Sequence, residues 1–225
     1  MISSLSLCGD MRSAMETGMG ARIPGYDRIP STVGTMVSEH VPDPHIWLDT
    51  GCGTGIMVRE NLERFPSTQF VLADPSSENI AEAKVLMHGE QRCLYVTKPT
   101  GSLNFGDSTV DVITAMFCHH YSDLTGRKEA AANCFRMLKK GGMYITAEHV
   151  RNPPADSDMK DKEWMSFMMS NGVPEEAARH MIDRRGTEYF PLSEEEHIAL
   201  LEGCGFSGIE VFMRSCSDIG LVAFR

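Results

Sequence analysis

The sequence predicts a doubly wound α/β fold built on one mostly parallel sheet, and three observations carry that prediction. Short apolar, β-rich runs alternate with helical patterns over most of the chain, the rhythm of a sheet with helices on both faces. A cluster of glycines, Gly51, Gly53 and Gly55, falls where the first apolar run gives way to a helix. The last two apolar runs, Gly208–Met213 and Ile219–Phe224, lie close enough in sequence to pair as a hairpin, which adds an antiparallel edge.

The elements follow in order. The first strand is Ile46–Asp49, with a helix from about Ile56 to Phe65 stopped by Pro66. The second strand, Phe70–Asp74, leads into a helix from about Ser77 to His88. Strand three is Cys93–Val96 and strand four Val110–Met116, followed by a helix from about Arg127 to Leu138. Lys139, Lys140, Gly141 and Gly142 read as a helix stop, with basic residues at the C-terminus and glycine as the left-handed cap. Strand five is Met143–Ala147. Pro153 and Pro154 then open an insertion, with amphipathic helices at Asp158–Ser170 and Glu175–Arg184. Ser193 with Glu196 forms a capping box that starts a helix running to Cys204. The sum is seven strands in one domain spanning 1–225, with a flap at 1–30 and a helical lid at 151–190.

Bulk properties narrow the function. A chain of 225 residues suits one α/β domain. The net charge of −10 disfavours a nucleic-acid substrate, because gripping phosphate backbones calls for a basic face. Residues 1–7 lack the basic start and length of an export or membrane segment, so a cytoplasmic location without a membrane is expected. Seven scattered cysteines (Cys8, Cys52, Cys93, Cys118, Cys134, Cys204, Cys216) form no C-x-x-C pair, which reads as reduced thiols rather than disulfides or a metal site. Self-association is left open.

The turn Asp49-Thr50-Gly51-Cys52-Gly53-Thr54-Gly55 sits in the crevice where doubly wound sheets bind ligands. A dinucleotide fingerprint, G-x-G-x-x-G, would place its third glycine at position 56, which is Ile56. The actual G-x-G-x-G spacing suits an amino-acid-bearing nucleoside better than a pyrophosphate, so a nicotinamide-dependent reductase is disfavoured. Asp74, ending the second strand, is placed to accept hydrogen bonds from ribose hydroxyls. His119 and His120 leave strand four beside this crevice, and either could serve as a general base; in an extended segment they would face opposite ways. Glu148 and His149 leave strand five at the same edge, where the carboxylate could orient an acceptor or simply meet solvent.

These segments, with Ala73-Asp74-Pro75, Val110-Asp111-Val112-Ile113-Thr114 and Met137–Gly142, resemble the successive motifs of class I S-adenosylmethionine-dependent methyltransferases over about residues 45–148. The resemblance implies a Rossmann-like sheet and S-adenosyl-L-methionine as cofactor. It assigns Asp49, Gly51, Cys52, Gly53, Gly55, Asp74, Pro75 and Met116 to the cofactor site. Ile23-Pro24-Gly25-Tyr26 and the closing Cys204–Ala223 segment are similar to carboxy-S-adenosylmethionine synthase-like proteins, by which Tyr26 would reach over the cofactor. The chain departs from those proteins at Thr97-Lys98-Pro99, where they carry an acid, and at Met116, where they carry asparagine. Their carboxylate-binding arginine has no clear match, with only Arg179, Arg184 and Arg185 nearby. The reading is methyl transfer to a small-molecule acceptor without a metal. Carboxy-S-adenosylmethionine synthesis, or a non-catalytic cofactor-binding module, is the alternative.

Overall fold

The computed structural model describes residues 18–225. The first seventeen residues of the expected flap, with Cys8, lie outside the described residues.

Seven strands form one sheet in the order β3-β2-β1-β4-β5-β7-β6. They are β1 (Ile46–Thr50), β2 (Gln69–Ala73), β3 (Cys93–Val96), β4 (Val110–Met116), β5 (Leu138–His149), β6 (Ser207–Arg214) and β7 (Asp218–Phe224). Strands β1 to β5 pair in parallel, while β7 runs antiparallel between β5 and β6. The expected closing hairpin is therefore present at the edge.

Period-two alternation along each strand divides the core into two layers. Trp47, Phe70, Val112 and Met143 point to one face, where they meet α1 (Ile29–His40), α2 (Ile56–Arg59) and α3 (Ser77–Leu86). Their neighbours Leu48, Val71, Ile113 and Tyr144 point to the other, against α4 (Leu124–Met137) and α7 (Glu194–Gly203). The helix starts are capped as the side chains dictate. Ser76 Oγ accepts from the Asn79 amide at 3.1 Å, Asp123 from Gly126 at 2.8 Å, and Ser193 and Glu196 close the predicted capping box.

Two expectations are corrected. The helix expected to reach Phe65 ends at Arg59, because the Asn61 side chain donates to the carbonyls of Met57 and Pro30 while its own amide turns back to Val58. Lys139–Gly142 is not a helix stop. Strand β5 begins at Leu138 directly after α4, and Gly141 donates to the carbonyl of Arg225 inside the sheet.

The insertion holds α5 (Pro154–Ser170) and α6 (Glu175–Asp183), which pack through Trp164, Met168 and Ala178. The Trp164 indole N–H donates to the carbonyl of Arg22 at 2.6 Å, so the insertion touches the chain entering the domain.

Candidate active site

Strand order reverses beside β1, with β2 to one side and β4 to the other. Chains leaving the carboxyl ends of β1 and β4 diverge there, which opens a crevice. It is a cleft of about 890 Å³. Of the predicted cofactor residues, Tyr26, Asp49, Gly51, Cys52 and Gly53 line it from the first turn and the flap. Asp74 and Pro75, just past the end of β2, and Met116, the last residue of β4, also line it, and His119 joins them.

Two predicted residues lie elsewhere. Gly55 is behind the wall, where an added Cβ would come within 2.9 Å of Leu72 Cδ2; its smallness lets α2 pack on the sheet. His120 is also behind the wall, for a reason the extended-strand picture missed. His119–Tyr121 is a 3-10 turn, so the two rings are splayed rather than alternated.

The cleft is acidic by construction. Trp47 Nε1 donates to Thr114 Oγ1 at 3.0 Å, which commits the threonine hydroxyl to donate onward to Asp49 Oδ1 at 2.7 Å. Asp49 Oδ2 is buried and has no hydrogen-bond partner among the described residues. Burial lifts the Asp49 carboxyl to about 7, against the Thr114 bond and with help from the charge on Asp74. Asp74 shapes the glycine turn itself. Its Oδ2 accepts from the Gly53 amide at 3.0 Å, and Oδ1 accepts from Ser76 N at 2.9 Å and Asn79 Nδ2 at 3.1 Å. Arg22, which sequence reasoning did not single out, is the one lysine or arginine lining the cleft among the described residues.

This arrangement fits S-adenosylmethionine. An unpartnered carboxylate oxygen and a second carboxylate suit its ammonium and sulfonium charges, and Arg22 suits its carboxylate. Gly53 adopts φ +53, and a Cβ there would meet nothing within 4 Å, so its Cβ direction is open space at the cleft. Gly51 differs, since a Cβ there would lie 2.3 Å from Cys118 Cβ. Gly53→Ala is therefore expected to cost only about 1 kcal/mol of apo stability through its backbone strain, while weakening cofactor binding by at least about tenfold. Gly51→Ala should unfold the loop as well. Thermal melts with and without cofactor check the contrast.

Beneath the cleft, Glu148 organises the turn after β4. Its Oε1 accepts from His119 N at 3.1 Å and Thr146 Oγ1 at 3.3 Å. Its Oε2 accepts from His120 N at 3.0 Å and His120 Nδ1 at 2.7 Å. Burial opposes ionisation of Glu148 more than any one partner favours it, but the bond from His120 and the fields of His120, His119 and His197 together outweigh it, and the carboxyl is held at about 2. Glu148 is thus neither solvated nor directed at an acceptor. The ligand atoms of Cys118, His119 and Glu148 lie within 4.8 Å of one another. With four donors already on Glu148 and burial keeping the Cys118 thiol protonated, the trio is built as a loop anchor rather than a metal cage.

His119 contacts Thr100 Oγ1 through Nε2 at 3.1 Å and is kept neutral chiefly by burial. Phe117, at the turn between β4 and the histidines, adopts φ +52, a region that side-chain-bearing residues seldom enter. Arg179, Arg184 and Arg185 pair with Glu175, Glu188 and Asp161, and none lines the cleft.

Comparisons with known proteins agree with this geometry. The family profile described as Methyltransferase domain matches residues 48–142. Carboxy-S-adenosyl-L-methionine synthase of Idiomarina loihiensis is 27% identical over 161 residues, which is 68% of this chain and 65% of that protein. The chain thus spans about two thirds of that relative's length. Among solved structures, a possible exported protein from Bordetella parapertussis superposes with TM-score 0.69 at 16% identity, covering 91% of this chain and 70% of the other. The 1,6-didemethyltoxoflavin-N1-methyltransferase of Burkholderia thailandensis, solved with bound 1,6-didemethyltoxoflavin and S-adenosylhomocysteine, superposes with TM-score 0.63 at 16% identity, covering 97% and 87%. The matched stretch, from Leu48 to Gly142, is similar to a methyltransferase domain, and it carries the strands and the glycine cradle that set Asp49 and Asp74 at the cleft.

Proposed function

We propose that the protein transfers a methyl group from S-adenosylmethionine to a small acceptor held at the carboxyl end of β4. One observation carries the reading: a buried carboxylate oxygen, Asp49 Oδ2, without a partner among the described residues at the wall of a cleft that Asp74 also lines. When bound, the cofactor supplies an electrophilic methyl carbon on a sulfonium. The chain's own part is to hold the charged amino-acid end with Asp49 and Arg22, hold the ribose with Asp74, and exclude water. Residues 18–30, with Tyr26, form a flap, and residues 151–190 form a lid. The Trp164–Arg22 bond supports their closing together over the cleft. His119 and His120 are the candidate bases.

Asp74→Asn tests the cofactor assignment better than alanine, since it keeps the side chain that positions Gly53. A loss of one charge-assisted bond to ribose should weaken S-adenosylmethionine binding by about 10- to 100-fold in calorimetry. Unchanged affinity would remove Asp74 from the ribose site.

The name carried by the curated relatives favours a second reading, carboxy-S-adenosylmethionine synthesis. Against it, the three nearby arginines are committed to ion pairs. Mass spectrometry of ligand released from purified protein separates the two, a carboxylated cofactor favouring synthesis. A non-catalytic module would give no labelled transfer to any acceptor. The cysteines among the described residues are free thiols, which supports a reducing cytoplasm, and no described helix is long and apolar enough to cross a membrane.

A further inference from the structure

Behind the cleft lies a second, closed chamber of about 20 Å³, bounded by residues of β5, α4 and α7. His119 lines both spaces, so its ring is part of the wall between them. Interior gaps that stay dry are apolar, and this one is not. Arg127, Tyr144, Thr146, Glu148 and His197 line it. Two of these side chains are buried and unmatched. Arg127 is 3% exposed, and its Nε and Nη1 have no partner among the described residues. His197 is 5% exposed, and its Nε2 has none either. Buried polar groups are nearly always met by a partner, so unmatched atoms around a shared space point to a ligand in it.

Size, charge and hydrogen-bond pattern say what that ligand is. A space of this volume admits one molecule as small as water, which needs roughly 10–15 Å³ on the same measure. Charge is already balanced, since the Arg127 guanidinium lies in the field of the Glu148 carboxylate. An anion would face Glu148 and a cation would face Arg127, so the ligand is neutral. Arg127 offers only N–H donors and needs a lone pair. The His197 ring bonds the backbone of His149, and with Nε2 unmatched that bond belongs to the Nδ1 proton. Nε2 is therefore a lone pair and needs a donor. Water has both.

The position of the chamber gives such a molecule a task. Arg127 Nη2 donates to the carbonyl of Phe190 at the trailing end of the lid. The Phe190 amide donates to the His120 carbonyl at 2.8 Å. Phe190 is thus tied to α4 through one backbone group and to the histidine turn through the other. Arg127 keeps that aim only while the rest of its guanidinium is also held, and the chamber is where its remaining N–H groups find a partner.

We propose that the chamber is a binding site for a single water molecule, which bridges Arg127 on α4 to His197 on α7 and thereby ties the end of the lid to the histidine turn. The inference holds whichever reaction the cleft carries out.

A high-resolution crystal structure of the full-length protein, with a parallel bromide soak, tests occupancy. One solvent peak is expected within about 3.2 Å of both an Arg127 nitrogen and His197 Nε2, with no bromide signal there. His197→Leu removes the lone pair, and the peak should go with it. Hydrogen exchange at the Phe190 amide should then quicken by about tenfold, while exchange at Leu48 in β1 and affinity for S-adenosylhomocysteine stay unchanged. His197→Gln restores an acceptor oxygen and should return Phe190 exchange to the wild-type rate. No peak in the wild type, or bromide in its place, overturns the water site. Unchanged Phe190 exchange in His197→Leu overturns the tie to the lid, as does quickening that His197→Gln fails to reverse or that Leu48 shares.

Discussion

At pH 8, Asp49→Asn is expected to make the cofactor-free protein more stable and to abolish cofactor binding. The folded protein holds the Asp49 proton up to about pH 7, whereas the unfolded chain releases it near 3.8. A carboxyl raised in the folded state loses stability as pH rises between those values, and above 7 the fold carries a buried charge. At about 1.4 kcal/mol per pH unit the full penalty is roughly 4 kcal/mol. Asparagine recovers part of it, because its carbonyl still accepts from Thr114 while its amide gains no certain acceptor. A net gain of about 2 kcal/mol corresponds to a rise of about 5 °C in melting temperature for a chain of this size. At pH 5 wild-type Asp49 is already protonated, so the gain should vanish. Cofactor affinity should run the opposite way, rising in the wild type from pH 6 to 8 as the carboxylate forms, and falling at least about 100-fold in the variant. Scanning calorimetry at the two pH values and titration calorimetry check both halves. A stability difference that is the same at pH 5 and pH 8 would show that Asp49 holds no strained charge.

What was legible in the sequence was what local periodicity and backbone freedom encode. The strand pattern at Trp47–Leu48, Phe70–Val71 and Val112–Ile113 announces a sheet buried on both faces, and the two layers follow from it. Glycines at a strand end announce a backbone that must turn and stay bare, and Asp74 directly follows the neighbouring strand, whose last residue Ala73 lies opposite Thr50. Side chains that reach across the fold were not legible. Asn61 ends α2 by bonding to Pro30, 31 residues away, so no local helix signal marks the stop. Glu148 reads as an ordinary acid at a strand end, yet its partners are 28 and 29 residues earlier. The histidine pair was visible as chemistry but not as geometry. A 3-10 turn, fixed by that same glutamate, decides which ring meets the cleft.

Removing that glutamate is therefore expected to damage the acceptor side of the site and spare the cofactor side. Glu148→Ala strips the acceptor from two buried amides, the His120 ring and the Thr146 hydroxyl, and leaves the buried guanidinium of Arg127 without its nearby negative charge. Breaking a buried charged network costs on the order of 3–5 kcal/mol, which lowers the melting temperature by about 10 °C. Glu148→Gln keeps the shape but offers one acceptor atom instead of two, and about half of that loss is expected. Acid provides the control. A carboxyl held at about 2 in the folded state, against an ordinary 4.5, contributes stability that is complete above 4.5 and lost as pH falls towards 2. Wild type and Glu148→Gln should thus differ at pH 7 and converge near pH 2. Methyl transfer should fall with the order of the 117–120 turn, by about 100-fold. Binding of S-adenosylhomocysteine should change little, because Asp49 and Asp74 are carried by β1 and the end of β2. Equal losses of cofactor affinity and of turnover in Glu148→Gln would mean that the two halves of the site are not separately built.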